Sequence, residues 1–503
     1  MLPDMTDRPN RVKHVVVAGG GIVGWSAAAT IRKRLPGLSV TVVALPPPPD
    51  ALADRMSGTL PSIIDFHADL GIDEAHVVAR TGSGFRLGSY INGWAEGMPP
   101  YFNGYGEHGR QLGTAPFHQF WLREANGARA DFTAFSPSAA IALSGRFAHP
   151  PSDPTSPIPP FGYGLQLNSP AYRDYMRAYA LHLGATERSV PIRAVRRRGD
   201  GFIEAVALAD GSAIAGDLFI DCTGPSALLG AEQDKFEEWS QWLPCDRLLL
   251  AEAPPPAEFA PFDTVTALPA GWRWQAASPA RTSHGLAYSS AHLSDGKAER
   301  ILRGATGVSA IDAPVKLRSG RRTEPWVRNC VAIGDSAVAL EPLESVNLHL
   351  AHSALDRLVA MLPDRDCAPV ELAEYNRQSA AEADRVRDFL VLHYHLAHLP
   401  KQPFWREVAA VQPPASLAHT LELFRERGTL PFYEEETFAR DSWLAVLFGQ
   451  GVRPRRTDPL TDAVPPELAA RAMTRMRETI AAIVPTLPTH TAYVRDIARR
   501  ASR

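Results

Sequence analysis

His14-Val15-Val16-Val17-Ala18-Gly19-Gly20-Gly21-Ile22-Val23-Gly24 is the stretch that decides the fold. Residues 14–18 are apolar and β-branched, as a buried parallel strand requires. Gly19 to Gly24 completes G-x-G-x-x-G at once. Residues 25–35 then read as a helix stopped by Pro36-Gly37, and residues 38–45 as a second strand. A β-α-β unit of about thirty residues with this glycine pattern marks a dinucleotide site. Gly19 permits the tight turn, Gly21 lets the backbone approach a diphosphate, and Gly24 lets helix pack on strand. The helix N-terminus at Ile22 and Val23 offers N–H groups and a partial positive charge to the anion. The acid that usually ends the second strand and binds the ribose is missing. Ala44 holds that slot, and Asp50 lies too far along a proline run to replace it.

Two later segments separate FAD from NAD. Residues 216–224 read as a strand running into a turn at Gly224, after the hairpin signal Ala209-Asp210-Gly211-Ser212. Val331-Ala332-Ile333-Gly334-Asp335-Ser336-Ala337 is a second strand ending in Gly-Asp. Glu341-Pro342-Leu343-Glu344-Ser345 and a helix from about Leu348 follow it. This order places Asp335 to hydrogen-bond a ribityl hydroxyl and a helix N-terminus to face the flavin's electron-rich edge. A simple helix cap is the plain alternative for Asp335.

The rest of the chain sets bounds. It has 503 residues, 45% hydrophobic and 21% charged, which supports a sizeable core. A net charge of −3 gives no pull towards nucleic acid or an anionic membrane. No apolar run reaches membrane-span length, and residues 1–13 carry no signal peptide, so a cytoplasmic protein is expected. Cys222, Cys245, Cys330 and Cys367 are too scattered for a disulfide framework or a metal site and read as core thiols. Prolines cluster at 46–49, 149–160 and 254–261, which marks loops. Residues 352–500 read as mainly helical, for example 371–396 and 466–483, with a frayed basic tail at 495–503.

The blocks GGGIVGW, FIDCTG, WSQWLPCDR, GRRTEPWVRNCVAIGDSAVALEPLES and WLAVLFGQG, in this order, resemble the flavin-dependent tryptophan halogenases, a branch of the aromatic-hydroxylase type of flavoprotein. The resemblance runs from about residue 12 to about 458 and includes Phe117–Leu122 and His393-Tyr394. It implies an α/β fold: a Rossmann-like FAD-binding domain over 12–351, interleaved with an antiparallel substrate sheet (about 85–215 and 245–310). A helical region over 352–503 would cap the substrate. It also implies reduced FAD supplied by a separate reductase, which fits the absence of a second G-x-G-x-x-G for NADPH. A homodimer is left open.

In the family, reduced FAD and O2 convert a bound halide to hypohalous acid, which travels through a tunnel to the substrate. A lysine there guides the halogen, assisted by a glutamate. The glutamate is kept as Glu344, but the lysine strand F-K-L-G-I-K-F-x-N-W reads Phe85-Arg86-Leu87-Gly88-Ser89-Tyr90-Ile91-Asn92-Gly93-Trp94. Tyr90 holds the lysine slot, and a one-residue slip would put Ser89 there. The only lysines are Lys13, Lys33, Lys235, Lys297, Lys316 and Lys401, none with a claim to the tunnel. The family's Thr-Gly halide pair is Val346-Asn347, its flavin strap G-E-A-T-x-P is Met56-Ser57-Gly58-Thr59-Leu60-Pro61, and its substrate histidine is Asn103.

The resemblance thus implies flavin contacts at Gly19, Gly21, Ile22, Val23, Gly24, Thr59, Gly224, Gly334, Asp335, Pro342 and Leu348. It implies catalysis at Glu344 and Tyr90, and substrate contacts at Asn103, Trp272, Trp274 and, in a lid, Tyr433. Tyr90 is expected either to fill the lysine's space with its phenol on Glu344 or to orient substrate. His118 and His393 read as core histidines. The altered positions are the reactive ones. The expected activity is therefore FAD-dependent oxygenation of an electron-rich, indole-type aromatic, free or carrier-attached. Halogenation by a non-lysine route and a non-catalytic flavin-binding paralogue are the alternatives.

Overall fold

The glycine-rich unit folds as its sequence predicts. In the computed structural model, strand β1 (His14–Ala18) turns through Gly19–Gly21 into helix α1 (Ile22–Arg34), which returns to β2 (Ser39–Val43). The helix begins at Ile22 rather than Trp25. Residues 22–31 are all buried, so no amphipathic period marks its start. The structure describes residues 10–124, 131–151, 153, 156, 158–230 and 235–501, so part of the 149–160 proline cluster and the two ends of the chain lie outside it.

Further elements place the site: β3 (Gly88–Asn92), β4 (Tyr101–Gly104), α2 (Ser169–His182), β5 (Leu218–Asp221), β6 (Arg247–Ala253), β7 (Asp263–Leu268), β8 (Gly271–Ala277), β9 (Thr282–Tyr288), β10 (Cys330–Ala332), α3 (Asn347–Ala360), α4 (Pro369–Leu396) and α5 (Arg440–Gly449). One sheet runs Trp326–Val327, β10, β5, β1, β2, Thr186–Arg188, parallel except at the first pair. Val15–Ala18 of β1 pair with Leu218–Asp221 of β5. The two Gly-containing strand ends found in the sequence are therefore brought beside the glycine-rich turn, at the carboxyl ends of the strands where α/β sheets bind ligands.

The second sheet runs Val315–Lys316, β6, β9, β8, β7, β3, β4 and is antiparallel except between β7 and β3. The predicted strand 85–94 breaks in two, Gly84–Arg86 and β3. Gly88 has φ +148°, and a Cβ there would overlap the Asn103 carbonyl, so the chain bends where only glycine fits. The C-terminal part is helical, and α4 and Pro466–Ile483 match their expected spans. Within the described residues the basic tail, 495–501, is not frayed. His490–Ala501 is a helix whose buried face holds His490, Thr491 and Val494, and the His490 Nε2 accepts the Phe85 N–H at 3.1 Å. Its density of arginines hid that face. All four cysteines are free thiols, three of them buried and Cys222 half-buried. Among the described residues no helix is long and apolar enough to cross a membrane, and no acid, histidine and thiol group could hold a metal.

Candidate active site

The phosphate cradle is tightly built. A Cβ at Gly24 would overlap the Gly19 carbonyl oxygen, so helix and turn meet only because both are glycine. Gly21 caps α1 without a side chain and the first turn carries no acid of its own; its first N–H, that of Ile22, is taken by Asp54 from a neighbouring loop at 2.9 Å. Gly334 (φ +68°) and Gly224 (φ +84°) turn the other two strand ends towards this point, and Ser336 Oγ ties them by donating to the Gly224 carbonyl at 2.9 Å. Asp335 stands beside them, buried, and burial pushes its carboxyl up to about 7. It accepts the Ala53 N–H and the Asn347 Nδ2–H, each at 3.2 Å, while Asn347 Oδ1 is buried with no partner. An unpartnered polar atom and an acid at the mouth of a glycine cradle suit a ligand rich in hydroxyls and phosphate. FAD fits that description. Gly19, Gly21, Ile22, Val23 and Gly24 would hold its diphosphate and Asp335 its ribityl chain.

Pro342 and Leu348 are buried on either side of the turn at Glu344, Leu348 within the core under α3. Thr59 serves the strap itself: its hydroxyl bridges Leu165 N–H (2.7 Å) and carbonyl (3.1 Å), and its own carbonyl accepts from Arg86 and Tyr105.

The turn that carries Glu344 lies just before α3. Glu344 (φ +61°) and Ser345 (φ +57°) are both left-handed, a strained pair for non-glycine residues. The turn drives Glu344 inward, 3% exposed, against the second sheet. Its Oε2 accepts the Ser89 hydroxyl at 3.0 Å. Ser89 in turn accepts from Arg86 (2.8 Å), whose Nε pairs with Asp263 at 2.9 Å. Glu344 Oε1 faces His393 Nε2 on α4 at 3.3 Å, an electrostatic approach not aligned as a hydrogen bond. His393 Nδ1 lies 2.9 Å from the Phe389 carbonyl. With Nδ1–H donated there, Nε2 and Oε1 are two acceptors face to face, satisfied by a proton on either. Burial would raise the Glu344 carboxyl, but His393, Arg86 and Asn103 outweigh it and hold the group below its ordinary value.

Tyr90 does not make the contact expected of it. In β3, Ser89 lies opposite Asn103 of β4 and Asp263 of β7, whereas Tyr90 lies opposite Phe102 and Thr264. Alternation sends the first set towards Glu344 and the second away. The Tyr90 ring packs edge-on to Phe262, with centroids 6.1 Å apart. All six lysines are exposed, so none accompanies the buried Glu344.

Trp272 and Trp274 share one face of β8, as their spacing implies, with rings 5.4 Å apart. Trp272 is held in a buried network: its N–H donates to Tyr394 Oη (2.8 Å), which donates to Glu341 Oε2 (2.9 Å), with Cys245 Sγ 3.2 Å from the same phenol. Trp274 lines a cleft of 590 Å³ between the second sheet, the loop after β2 and the start of α2, together with Asp54, Arg173 and Arg281. Tyr433 lines a separate cavity of 390 Å³ with Phe438, Trp443, Arg385 and Arg440. The Arg385 guanidinium lies 3.8 Å from the Tyr433 ring centroid and pairs with Glu436, so that glutamate is not a solvated loop charge. Phe438 and Trp443 pack on Phe389, one turn before His393, which puts this cavity behind the reactive pair. His118, by contrast, is structural, bonded to the Gly428 carbonyl at 2.8 Å. At the halide slots Val346 is fully buried and Asn347 turns its amide to Asp335.

Sequence reasoning missed Asp54, gave Ser89 only as a one-residue slip and read His393 as a core histidine. Strand parity held the signal for Ser89. The other two reach the site through a loop and a long helix, which no local pattern predicts.

A glycine cradle beside a buried, networked glutamate that faces the adjoining sheet is the arrangement expected of a flavoprotein-type oxidoreductase. The family model for tryptophan halogenase matches residues 14–466. The chain is 35% identical to BrvH, a flavin-dependent halogenase from Brevundimonas sp. BAL3, with a TM-score of 0.91 over 97% of this chain and 99% of that one. It is 33% identical to Xcc4156, a flavin-dependent halogenase from Xanthomonas campestris, with a TM-score of 0.90 over 97% and 98%. It is 26% identical to the tryptophan 6-halogenase SttH of Streptomyces toxytricini over 97% of this chain and 98% of the relative. The chain belongs to the tryptophan halogenase family and is a flavin-dependent enzyme of that kind.

Proposed function

We propose that this enzyme takes reduced FAD from a separate reductase and, with O2, transfers oxygen to an electron-rich, indole-type aromatic, free or carrier-attached. One observation carries the reading: the partner of Glu344 is the Ser89 hydroxyl, and every lysine is on the surface. A serine can donate a hydrogen bond but cannot hold halogen as an amine does, and the buried cation beside it, Arg86 at the first lysine position of the family motif, is engaged by Asp263, Thr59 and Ser89. Bound reduced flavin with O2 supplies the electrophilic oxygen. Glu344, kept ionised by its neighbours, is the base that accepts the proton the ring or its N–H gives up. Ser89 and Arg86 fix its orientation, and burial of Glu344 and Ser89 keeps water from them.

A second reading, halogenation without lysine, draws on the flavin-dependent halogenases among its relatives and on His393, which stands at Glu344 where a proton donor could guide an oxidant. Membership in a family of enzymes leaves the non-catalytic alternative without support. Product mass separates the two readings. With a flavin reductase, NADH, indole and bromide, a gain of one oxygen supports the first, and a gain of one bromine sinks it.

A further inference from the structure

The N-terminus of α1 is shaped for a diphosphate, yet it already holds an anion. Asp54 Oδ1 accepts the Ile22 N–H at 2.9 Å, the first donor of the helix, and its other oxygen lies against Gly21 where a Cβ would clash. The same short turn, Leu52–Asp54, reaches the second cofactor anchor, since the Ala53 N–H donates to Asp335 Oδ2 at 3.2 Å. One turn of the chain therefore occupies both ends of the expected flavin grip. All three residues of the turn are buried. Burial pushes the Asp54 carboxyl up to about 6, against the hydrogen bond from Ile22 and the charges of Arg173 and Arg55.

We propose that the Leu52–Asp54 turn is an internal competitor for the diphosphate of FAD, with the Asp54 carboxylate standing in for a phosphate until the cofactor displaces it. Two anions cannot share one helix end, because the same N–H groups and the same partial charge serve either. Arg173 and Arg55 line the cleft of 590 Å³ beside Asp54 and offer the displaced carboxylate a place to go. The turn would weaken cofactor binding and speed exchange, as suits an enzyme that receives its flavin from another protein. The inference rests on FAD being the cofactor and is independent of the product formed.

Calorimetry with ADP, FAD and riboflavin tests it, because only the first two carry the diphosphate. Asp54→Asn keeps an acceptor for Ile22 while removing the charge. It should lower the Kd of ADP and FAD by at least about tenfold and leave riboflavin unchanged. An unchanged or higher Kd for ADP, or an equal gain for riboflavin, overturns the proposal. Hydrogen exchange on the wild-type protein at saturating FAD gives a second readout that needs no variant. The Ala53 and Asp54 amides should exchange faster with FAD bound, and greater protection there would contradict displacement.

Discussion

Ser89 Oγ donates to Glu344 Oε2 at 3.0 Å, from the position one residue before the slot where a lysine was expected. Pairing of β3 with β4 and β7 decides this, since it puts Ser89, Asn103 and Asp263 on one face and Tyr90 on the other. Ser89→Lys should therefore place an amine at Glu344 and create or increase bromination of indole, measured by mass spectrometry. Tyr90→Lys should leave the product unchanged. Halogenation gained by Tyr90→Lys alone would show that the strand is registered differently.

Ser89 and His393 both face Glu344. Glu344→Gln should lower turnover by about 10²–10⁴-fold, the range for loss of a general base, while FAD titration shows unchanged binding.

With Glu344 as the proposed base, His393 is expected to set the acid limb of the pH profile. Its interaction with Glu344 leads the contributions that lower the carboxyl against burial. Without it, the Glu344 pKa rises, and the carboxylate needed as base is lost sooner as pH falls. His393→Gln should move the acid limb of kcat to higher pH. A scaffold histidine would lower the melting temperature and leave that limb in place.

Glu341 carries a different signature. Fully buried, its carboxyl is pushed up to about 8 by desolvation, against hydrogen bonds from Tyr394, Cys245 and Trp272. The folded pKa lies above the unfolded one, so the native state holds the proton more tightly. The stability it contributes is complete below the unfolded value, near 4.5, and is lost as pH rises through about 8. Melting temperatures across that window should fall more steeply for wild type than for Glu341→Gln, which stays neutral. Equal slopes would mean that Glu341 is ionised in the fold.

The fold was legible because its evidence is local and repeated. A strand, a glycine turn and a helix are adjacent in the chain at residues 14–34, and two further Gly-containing strand ends dock beside them. Glu344 was legible for the same reason, as part of a contiguous block. The environment of Glu344 was not. Ser89, Asp263 and His393 lie 255, 81 and 49 residues from it, and the break at Gly88 that fixes the strand's parity depends on a close approach to Asn103 that no single strand reveals. Asp54 was hidden because its role comes from where a loop folds back. The tail helix at His490–Ala501 was hidden because charge was more visible than its narrow buried face.

The proposed reaction is oxygen transfer, with Glu344 paired to the Ser89 hydroxyl. The most direct test is a reaction of the wild-type protein under ¹⁸O₂ with a flavin reductase, NADH, indole and saturating bromide, read by mass spectrometry. The wild-type enzyme should give a product carrying one ¹⁸O and no bromine. A brominated product without ¹⁸O would contradict oxygen transfer.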